Sequence, residues 1–199
     1  MGAVPLLTRA LTDLRHRQPH LSIGIVEGTS TSLLALIDEG RVDLAICRSG
    51  GSRRPEAYDC VPLESEPLAV VAARAHPLTC RKTLTLRDLA EASWVAYPVN
   101  TPMRFALERT LADAGIDVPR YPIETASTFA ALTLLQANAE LVAVIPREVA
   151  AFGEQFGLVA RLPVAIPVID EPYGVVTRAG AHLSPGARLL AEALQQHLI

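Results

Sequence analysis

The sequence has no apolar run that approaches the roughly 18 residues a membrane-spanning helix needs. Its first residues also lack the charged and apolar regions of a secretory signal peptide. Its three cysteines, Cys47, Cys60 and Cys80, are an odd number without a close-spaced pair, which fits neither a disulfide framework nor a cysteine zinc site. We therefore expect a reduced, cytoplasmic protein that does not associate with membranes.

Positive charge is also scarce. The chain holds 18 Lys and Arg against 21 Asp and Glu, which gives a formal net charge of -3. Nucleic-acid binding needs clustered cations to contact phosphates, and the densest group here is Arg48 with Arg53 and Arg54 in a Gly/Ser loop. A solvated turn is the simpler interpretation of this group. We therefore do not expect the chain itself to bind DNA.

Motifs for catalysis are missing as well. There is no nucleophile elbow and no glycine-rich phosphate loop. His16 and His20 are four residues apart, but Pro19 lies between them, so one helix cannot present both to a metal. His76 precedes Pro77 in a connecting segment, where a structural turn is a better interpretation than a general base. We expect no enzymatic activity, no cofactor and no metal.

Half of the chain is apolar and a fifth is charged, so we expect a folded core in its 199 residues. Helix and strand patterns alternate along it. Helices are predicted at about 5–17, 31–39, 85–92, 101–114, 127–138 and 184–199, and strands at 21–26, 42–46, 67–73, 93–98, 120–125, 141–146, 157–164 and 171–178. This alternation predicts an α/β fold of two units, one formed by 1–72 with the returning segment 165–199 and the other by 75–160.

Several helix ends carry the expected residues. Thr85, Thr101 and Ser184 are predicted N-caps, and Gly40 and Gly115 are predicted to end their helices in the left-handed conformation. Around Gly40 the segment 21–46 is predicted to form strand, helix and strand, a right-handed crossover within a parallel sheet.

One feature recurs three times. A predicted strand end meets a hydroxyl-rich helix start at "EGTSTS" (27–32), "VNTPMR" (99–104) and "ETASTF" (124–129). In an open parallel α/β sheet such junctions lie where ligands bind, and helix N-termini offer unpaired N–H groups to anions. The candidate polar residues at these junctions are Thr29, Ser30, Thr31, Asn100, Thr101, Ser127 and Thr128. Arg48 and Arg104 are predicted to add bidentate contacts to a small anion, above all a carboxylate.

A simpler interpretation applies to each hydroxyl taken alone. Ser and Thr are preferred N-caps in any helix, each stabilising it by about 1 kcal/mol. At the first junction we expect Ser30 or Thr31 to be the cap, with Thr29 and Ser30 contacting a ligand. Arg104 is as compatible with a solvent-facing position as with a binding site. Glu27 and Glu124, which precede two of the clusters, are interpreted as hydrogen-bond acceptors rather than an acid–base pair.

The order of these segments resembles a known family. "LRHRQPHLSIGIVEGTSTSLLALIDEGRVDLAI", "PLESEPLAVVAARAHPL", "LTLRDLAEASWVAYP" and "VVTRAGAHLSPGARLLAEAL" are similar to the effector-binding domain of LysR-type transcriptional regulators. The most specific pieces are the block that ends in "DLAI", the "HPL" turn and the closing "LSPGARLL". The resemblance covers nearly the whole chain, from Gly2 to Leu198.

The resemblance implies a type II periplasmic-binding-protein-like fold, with two Rossmann-like subdomains joined by two crossover strands near 70–75 and 160–166. It implies an effector held between the subdomains, often a carboxylate, in contact with Thr29, Ser30 and Thr101. It also implies that the segment Ser127 to Phe129 flanks this cleft, which adds Phe129 to the candidate site.

The resemblance also implies partners. Family members form homodimers or tetramers and bind DNA through an N-terminal winged helix-turn-helix, which we expect to be absent from this chain. The leading hypothesis is therefore a sensor of a small organic acid within a transcriptional regulator. A solute-binding protein of a transport system with the same fold is the alternative, and an enzyme on this fold ranks third.

Overall fold

A computed structural model of the protein describes residues 3–50, 52–99, 101–117, 121–166 and 171–197. The chain separates into two units. We call Ala3–Ser65 with Asp170–Ile199 the terminal unit, and Glu66–Ile169 the central unit. The boundaries expected from sequence, 1–72 with 165–199 and 75–160, stay a prediction.

Helices and strands alternate over most of the described residues. The helices are α1 (Val4–Arg17), α2 (Ser30–Asp38), α3 (Pro102–Asp113), α4 (Thr128–Ala137), α5 (Arg147–Gln155) and α6 (Pro185–Gln196). The strands are β1 (Ala45–Cys47), β2 (Tyr58–Pro62), β3 (Leu68–Ala72), β4 (Ser93–Ala96), β5 (Ile123–Glu124), β6 (Leu141–Pro146), β7 (Ala160–Arg161) and β8 (Gly174–Arg178). Within these described ranges no helix has the length and apolar character to cross a membrane.

The terminal unit is built on a three-stranded sheet in the order β1-β8-β2. Strand β8 is antiparallel to both neighbours. Successive residues of a strand point to opposite faces, so Val175 packs against α1 and α6 while Val176 packs against α2. Leu6 and Leu194 complete the first cluster, and Leu34 belongs to the second. The sheet is therefore buried on both faces.

The predicted strand at 21–26 and the predicted parallel sheet of this unit are wrong. Across the part of the chain that the structure describes, residues 22–28 make no backbone hydrogen bond. The side chains of Ile25 and Val26 are 60% and 54% exposed. A strand is stable only when its N–H and C=O groups meet a neighbouring edge, and β1 pairs with β8 instead.

The central unit contains a five-stranded mixed sheet in the order β5-β4-β6-β3-β7. Strand β4 is parallel to β5 and β6, whereas β3 is antiparallel to β6 and β7. Val70 and Trp94 face α3, and the alternate residues Val71 and Val95 face α4 and α5. Because β3 and β6 are buried on both faces, their sequences are continuous apolar runs, as a central strand requires.

The predicted helix ends are largely confirmed. The Thr101 and Ser184 hydroxyls accept the backbone N–H of Arg104 and Ala187, and the Asp88 carboxylate accepts both the N–H and the hydroxyl of Thr85. That last segment forms a short 3-10 helix at Leu86–Leu89 rather than an α-helix. Gly40 and Gly115 have φ angles of 66° and 67°, the left-handed conformation that ends a helix. Strand β2 and helix α5 were not predicted.

Candidate functional site

The first junction lies in the terminal unit, at the start of α2. Thr29 has extended backbone angles and its hydroxyl accepts the N–H of Ser32 at 3.3 Å, so Thr29 is the N-cap. The expectation that Ser30 or Thr31 caps this helix is therefore wrong. The helix begins one residue earlier than predicted, because the change from extended to helical backbone falls between Thr29 and Ser30. Thr31 is exposed on the first turn.

Ser30 has a different role from its neighbours. Its hydroxyl oxygen accepts the backbone N–H of Arg48 at 3.3 Å, which joins the start of α2 to the residue after β1. Arg48 is only 8% exposed, and its Nε donates to the carbonyl of Glu171 at 2.8 Å. The Glu171 carboxylate in turn accepts the N–H of Gly50 at 2.8 Å. The structure thus brings two predicted site residues, Ser30 and Arg48, into contact.

The second junction lies in the central unit, between β4 and α3. The Thr101 hydroxyl accepts the N–H of Arg104 at 3.4 Å and donates its proton to the carbonyl of Pro98 at 2.7 Å. Both hydrogen-bonding functions of this hydroxyl are therefore used locally. Asn100, the other candidate at this junction, lies outside the described residues.

Arg104 is held by groups of its own unit. Its Nε donates to the Glu108 carboxylate at 2.5 Å, and its Nη1 donates to Glu124 at 2.8 Å and to the Tyr97 carbonyl at 3.1 Å. The guanidinium also lies over the ring of Tyr121, with Cζ 3.7 Å from the ring centroid. Burial by itself lowers the pKa of Arg104, but the bonds to the two carboxylates outweigh it and raise the pKa. As an effector contact, Arg104 stays a prediction.

The third junction, also in the central unit, joins β5 to α4. The Ser127 hydroxyl caps α4 by accepting the N–H of Ala130 at 3.2 Å. Thr128, on the first turn, lies 3.0 Å from the phenol oxygen of Tyr97, close enough for a hydrogen bond between the two hydroxyls. Phe129 lies on the first turn of α4 and is 75% exposed, and as an effector contact it stays a prediction.

Two buried polar residues beside this junction, Tyr97 and Glu66, were not predicted from the sequence. Tyr97 follows β4, and its burial raises the pKa of the phenol to about 12; the bond to Thr128 opposes this shift and the nearby Glu66 carboxylate adds to it. Glu66 is 4% exposed. Tyr97 could have been identified from the sequence, because a tyrosine directly after an apolar strand places a polar hydroxyl at the edge of the core. Nothing in "LESEP" distinguishes Glu66 from Glu64.

The structure therefore groups the candidates by unit: Ser30 with Arg48, Thr101 with Arg104, and Thr128 with Tyr97. Each group lies at the start of a helix of nine or more residues, where N–H groups and the helix dipole favour an anion. Among the described residues there is no group of His, Cys, Asp and Glu that could hold a metal ion.

Comparison with known proteins gives a consistent result. A family model for the LysR substrate binding domain matches residues 2–199. The HTH-type transcriptional regulator GbpR of Azospirillum brasilense is 31% identical over 194 residues, which is 97% of this chain and 56% of that protein. The HTH-type transcriptional regulator GalR of Pseudomonas putida is 32% identical over 205 residues, 98% of this chain and 50% of that protein. The chain thus spans about half the length of these relatives.

A solved structure gives the same result for the fold. The effector-binding domain of QuiR in complex with shikimate aligns with a TM-score of 0.76 at 19% identity, over 98% of this chain and 89% of that one. This likeness confirms the predicted α/β fold of the type II periplasmic-binding-protein class.

Proposed function

The chain belongs to the family of LysR substrate-binding domains, and we propose that it is the effector-sensing part of a bacterial LysR-type transcriptional regulator, with a small organic acid as effector. The observation that carries this proposal is the set of helix N-termini capped by Thr29, Thr101 and Ser127. Such ends bind carboxylates through N–H groups and hydroxyls without any catalytic group.

The relatives support the regulatory part of the proposal. GbpR and GalR are named as transcriptional regulators, and the QuiR domain was solved with shikimate, an organic acid. By analogy, a non-catalytic, cytoplasmic role is proposed for this chain. Binding shifts a conformational equilibrium only by the difference in effector affinity between two states. The shift is proposed to reach DNA through another part of a homo-oligomeric regulator. A transport solute-binding protein is not favoured, because both relatives are regulators.

The test is a thermal-shift screen of aromatic and aliphatic carboxylic acids. An acid present at 100 times its Kd stabilises the folded chain by about 2.7 kcal/mol, which raises Tm by about 5–11 °C for a chain of this size. Binding is then confirmed by calorimetry. If no acid in a broad panel raised Tm, the proposal would be contradicted.

Three matched variants separate binding from helix capping. Ser30→Ala and Thr101→Val remove candidate contacts, and Ser184→Ala removes the N-cap of α6, which accepts the N–H of Ala187 at 3.2 Å. The two cap variants, at Thr101 and Ser184, should lower the ligand-free stability by about 1 kcal/mol each. The increase in Tm that the ligand causes should be smaller in the Ser30 and Thr101 variants and unchanged in Ser184→Ala. An equal reduction in Ser184→Ala would point to general destabilisation instead.

A further inference from the structure

A separate cavity opens in the terminal unit. Its volume is about 430 Å³, and it is lined by Asp38, Arg54, Ala57, Arg178 and Ala179. None of these residues belongs to the candidate site described above. The volume is that of a pocket for a small ligand.

The cavity lies at the far end of the terminal unit's sheet from Arg48. Strand β8 pairs Gly174 with Cys47 and Val176 with Ala45, so Arg178 extends two residues further away from Arg48. Asp38 ends α2, the helix whose start carries Ser30. At 1.5 Å per residue, nine residues of helix separate these two ends by about 13 Å. A ligand at Ser30 therefore leaves this cavity empty.

The charges that line the cavity leave one cation uncompensated. Arg54 pairs with Asp38 through an Nη2–Oδ2 distance of 2.8 Å, and the Tyr58 hydroxyl donates to the same oxygen at 3.0 Å. The Asp38 charge is therefore matched by one guanidinium and one hydrogen bond. Arg178 is exposed, and no carboxylate in the described ranges lies within ion-pair distance of its guanidinium.

The walls of the cavity are fixed by backbone contacts. Tyr58 pairs with Arg178 in the antiparallel sheet, and beside this pair Ala179 donates its N–H to the carbonyl of Ala57 at 2.8 Å. The next residue, Gly180, donates its N–H to the Asp59 carboxylate at 3.1 Å. The two small side chains of Ala57 and Ala179 leave space in front of the arginines. The position of Arg178 on a paired strand is thus set before any ligand arrives.

We propose that this cavity is a second anion site that binds a small oxyanion, a carboxylate or a phosphate. Arg178 contacts it in the bidentate geometry that a guanidinium offers to planar or tetrahedral oxyanions. Arg54, which also lines the cavity and is oriented by its bond to Asp38, adds a second cation. Because both arginines are exposed to solvent, the affinity is modest, with a Kd on the order of millimolar. The domain would then bind a second ligand at a site distinct from the proposed effector site.

The experiment titrates the ¹⁵N-labelled chain with inorganic phosphate and, separately, with malonate at constant ionic strength, with chloride as the reference salt. Saturable amide shifts at Ala57, Ala179 and Gly180 are expected with either oxyanion and not with chloride. Saturation by only one of the two oxyanions would also support the site and identify its ligand class. Shifts that chloride reproduces would overturn the proposal.

Variants identify the residue responsible. Arg178→Gln should weaken binding at least tenfold, and Arg178→Lys should fall between it and the wild type, because charge is kept and the bidentate contact is lost. Arg188→Gln, at an exposed arginine of α6 in the same unit, is the matched control and should bind normally. Wild-type affinity in Arg178→Gln would refute the assignment, and dispersed spectra of both Arg178 variants verify that they are folded.

Discussion

Replacing Arg104 with methionine distinguishes its two candidate roles. If Arg104 organises the central unit, Arg104→Met destabilises the ligand-free chain, because the side chain bonds to Glu108, Glu124 and the Tyr97 carbonyl. If instead it contacts the effector, the main loss is in binding. Methionine keeps much of the buried volume and removes the charge, so the measured loss reports the polar contacts.

The expected magnitude follows from burial. Removing one partner of a buried ion pair costs about 3–5 kcal/mol. Here Arg104 is 9% exposed, but the Glu108 and Glu124 side chains are 36% and 41% exposed, so water solvates them once the arginine is gone. This reduces the cost to about 2–3 kcal/mol. Loss of the contact with Tyr121 adds about 0.5–1 kcal/mol. The total is about 3 kcal/mol, or about 6–12 °C in Tm.

Urea unfolding followed by tryptophan fluorescence measures this loss. Trp94 is the single tryptophan and is fully buried in the core of the central unit, so its emission reports on the unit that contains Arg104. Arg109→Met is the matched control on the same helix, because Arg109 is 64% exposed and 3.9 Å from Asp113. The control should lose less than about 0.5 kcal/mol. A loss below about 1 kcal/mol in Arg104→Met, combined with abolished effector binding, would refute the structural role.

Three further predictions concern other parts of the chain. His76 is buried, and its Nδ1 accepts the N–H of Leu78 at 3.1 Å. Burial lowers the pKa of the imidazole below its unfolded value of about 6.5. The neutral imidazole therefore stabilises the fold fully above a pH of about 6.5, and this stabilisation is lost as the pH falls from there through the lower folded pKa. In urea titrations from pH 7 to pH 5, the free energy of unfolding should fall less for His76→Gln than for the wild type, and identical pH profiles would contradict this. Amide exchange should be fast for residues 22–28 and slow for β3, so equal protection would show that 22–28 is paired after all. Gly40→Ala should lower stability by about 1 kcal/mol because φ is 66°, and thermal unfolding with an unchanged Tm would argue against that strain.

The inner strands β3 and β6 of the central unit were predictable from sequence because they are buried on both faces. The runs at 68–72 and 141–146 are apolar throughout, and both became inner strands of the sheet. The run at 21–26 alternates apolar residues with Ser22 and Gly24, a pattern that predicts an exposed-face strand, yet it forms no strand. Whether such a run pairs depends on which edges lie beside it, and local sequence does not contain that information.

Helix α5 was missed for a local reason. Its first residues are charged and Gly153 lies in its interior, which weakens a helix prediction. The structure explains the glycine: a Cβ at this position would lie 2.9 Å from Cγ2 of Val159, so only glycine lets α5 approach β7 and its preceding loop this closely. The ion pair between Arg104 and Glu124 could not be predicted either, because the two residues are twenty positions apart in the sequence.

The hydroxyls of Thr29, Ser30 and Thr101, which are expected to contact an effector, differ in whether their donor and acceptor functions are already used. The Thr101 hydroxyl both accepts and donates locally, and the Thr29 hydroxyl accepts from Ser32 N–H and donates to the Ser32 hydroxyl at 3.3 Å. Ser30 accepts from Arg48, and its own proton has no acceptor among the described residues. A carboxylate is therefore expected to take the Ser30 hydroxyl directly, whereas at Thr101 it meets the backbone N–H groups of α3. In the thermal-shift comparison, Ser30→Ala should consequently lose more of the ligand-induced shift than Thr101→Val, and the reverse order would contradict this assignment of donors.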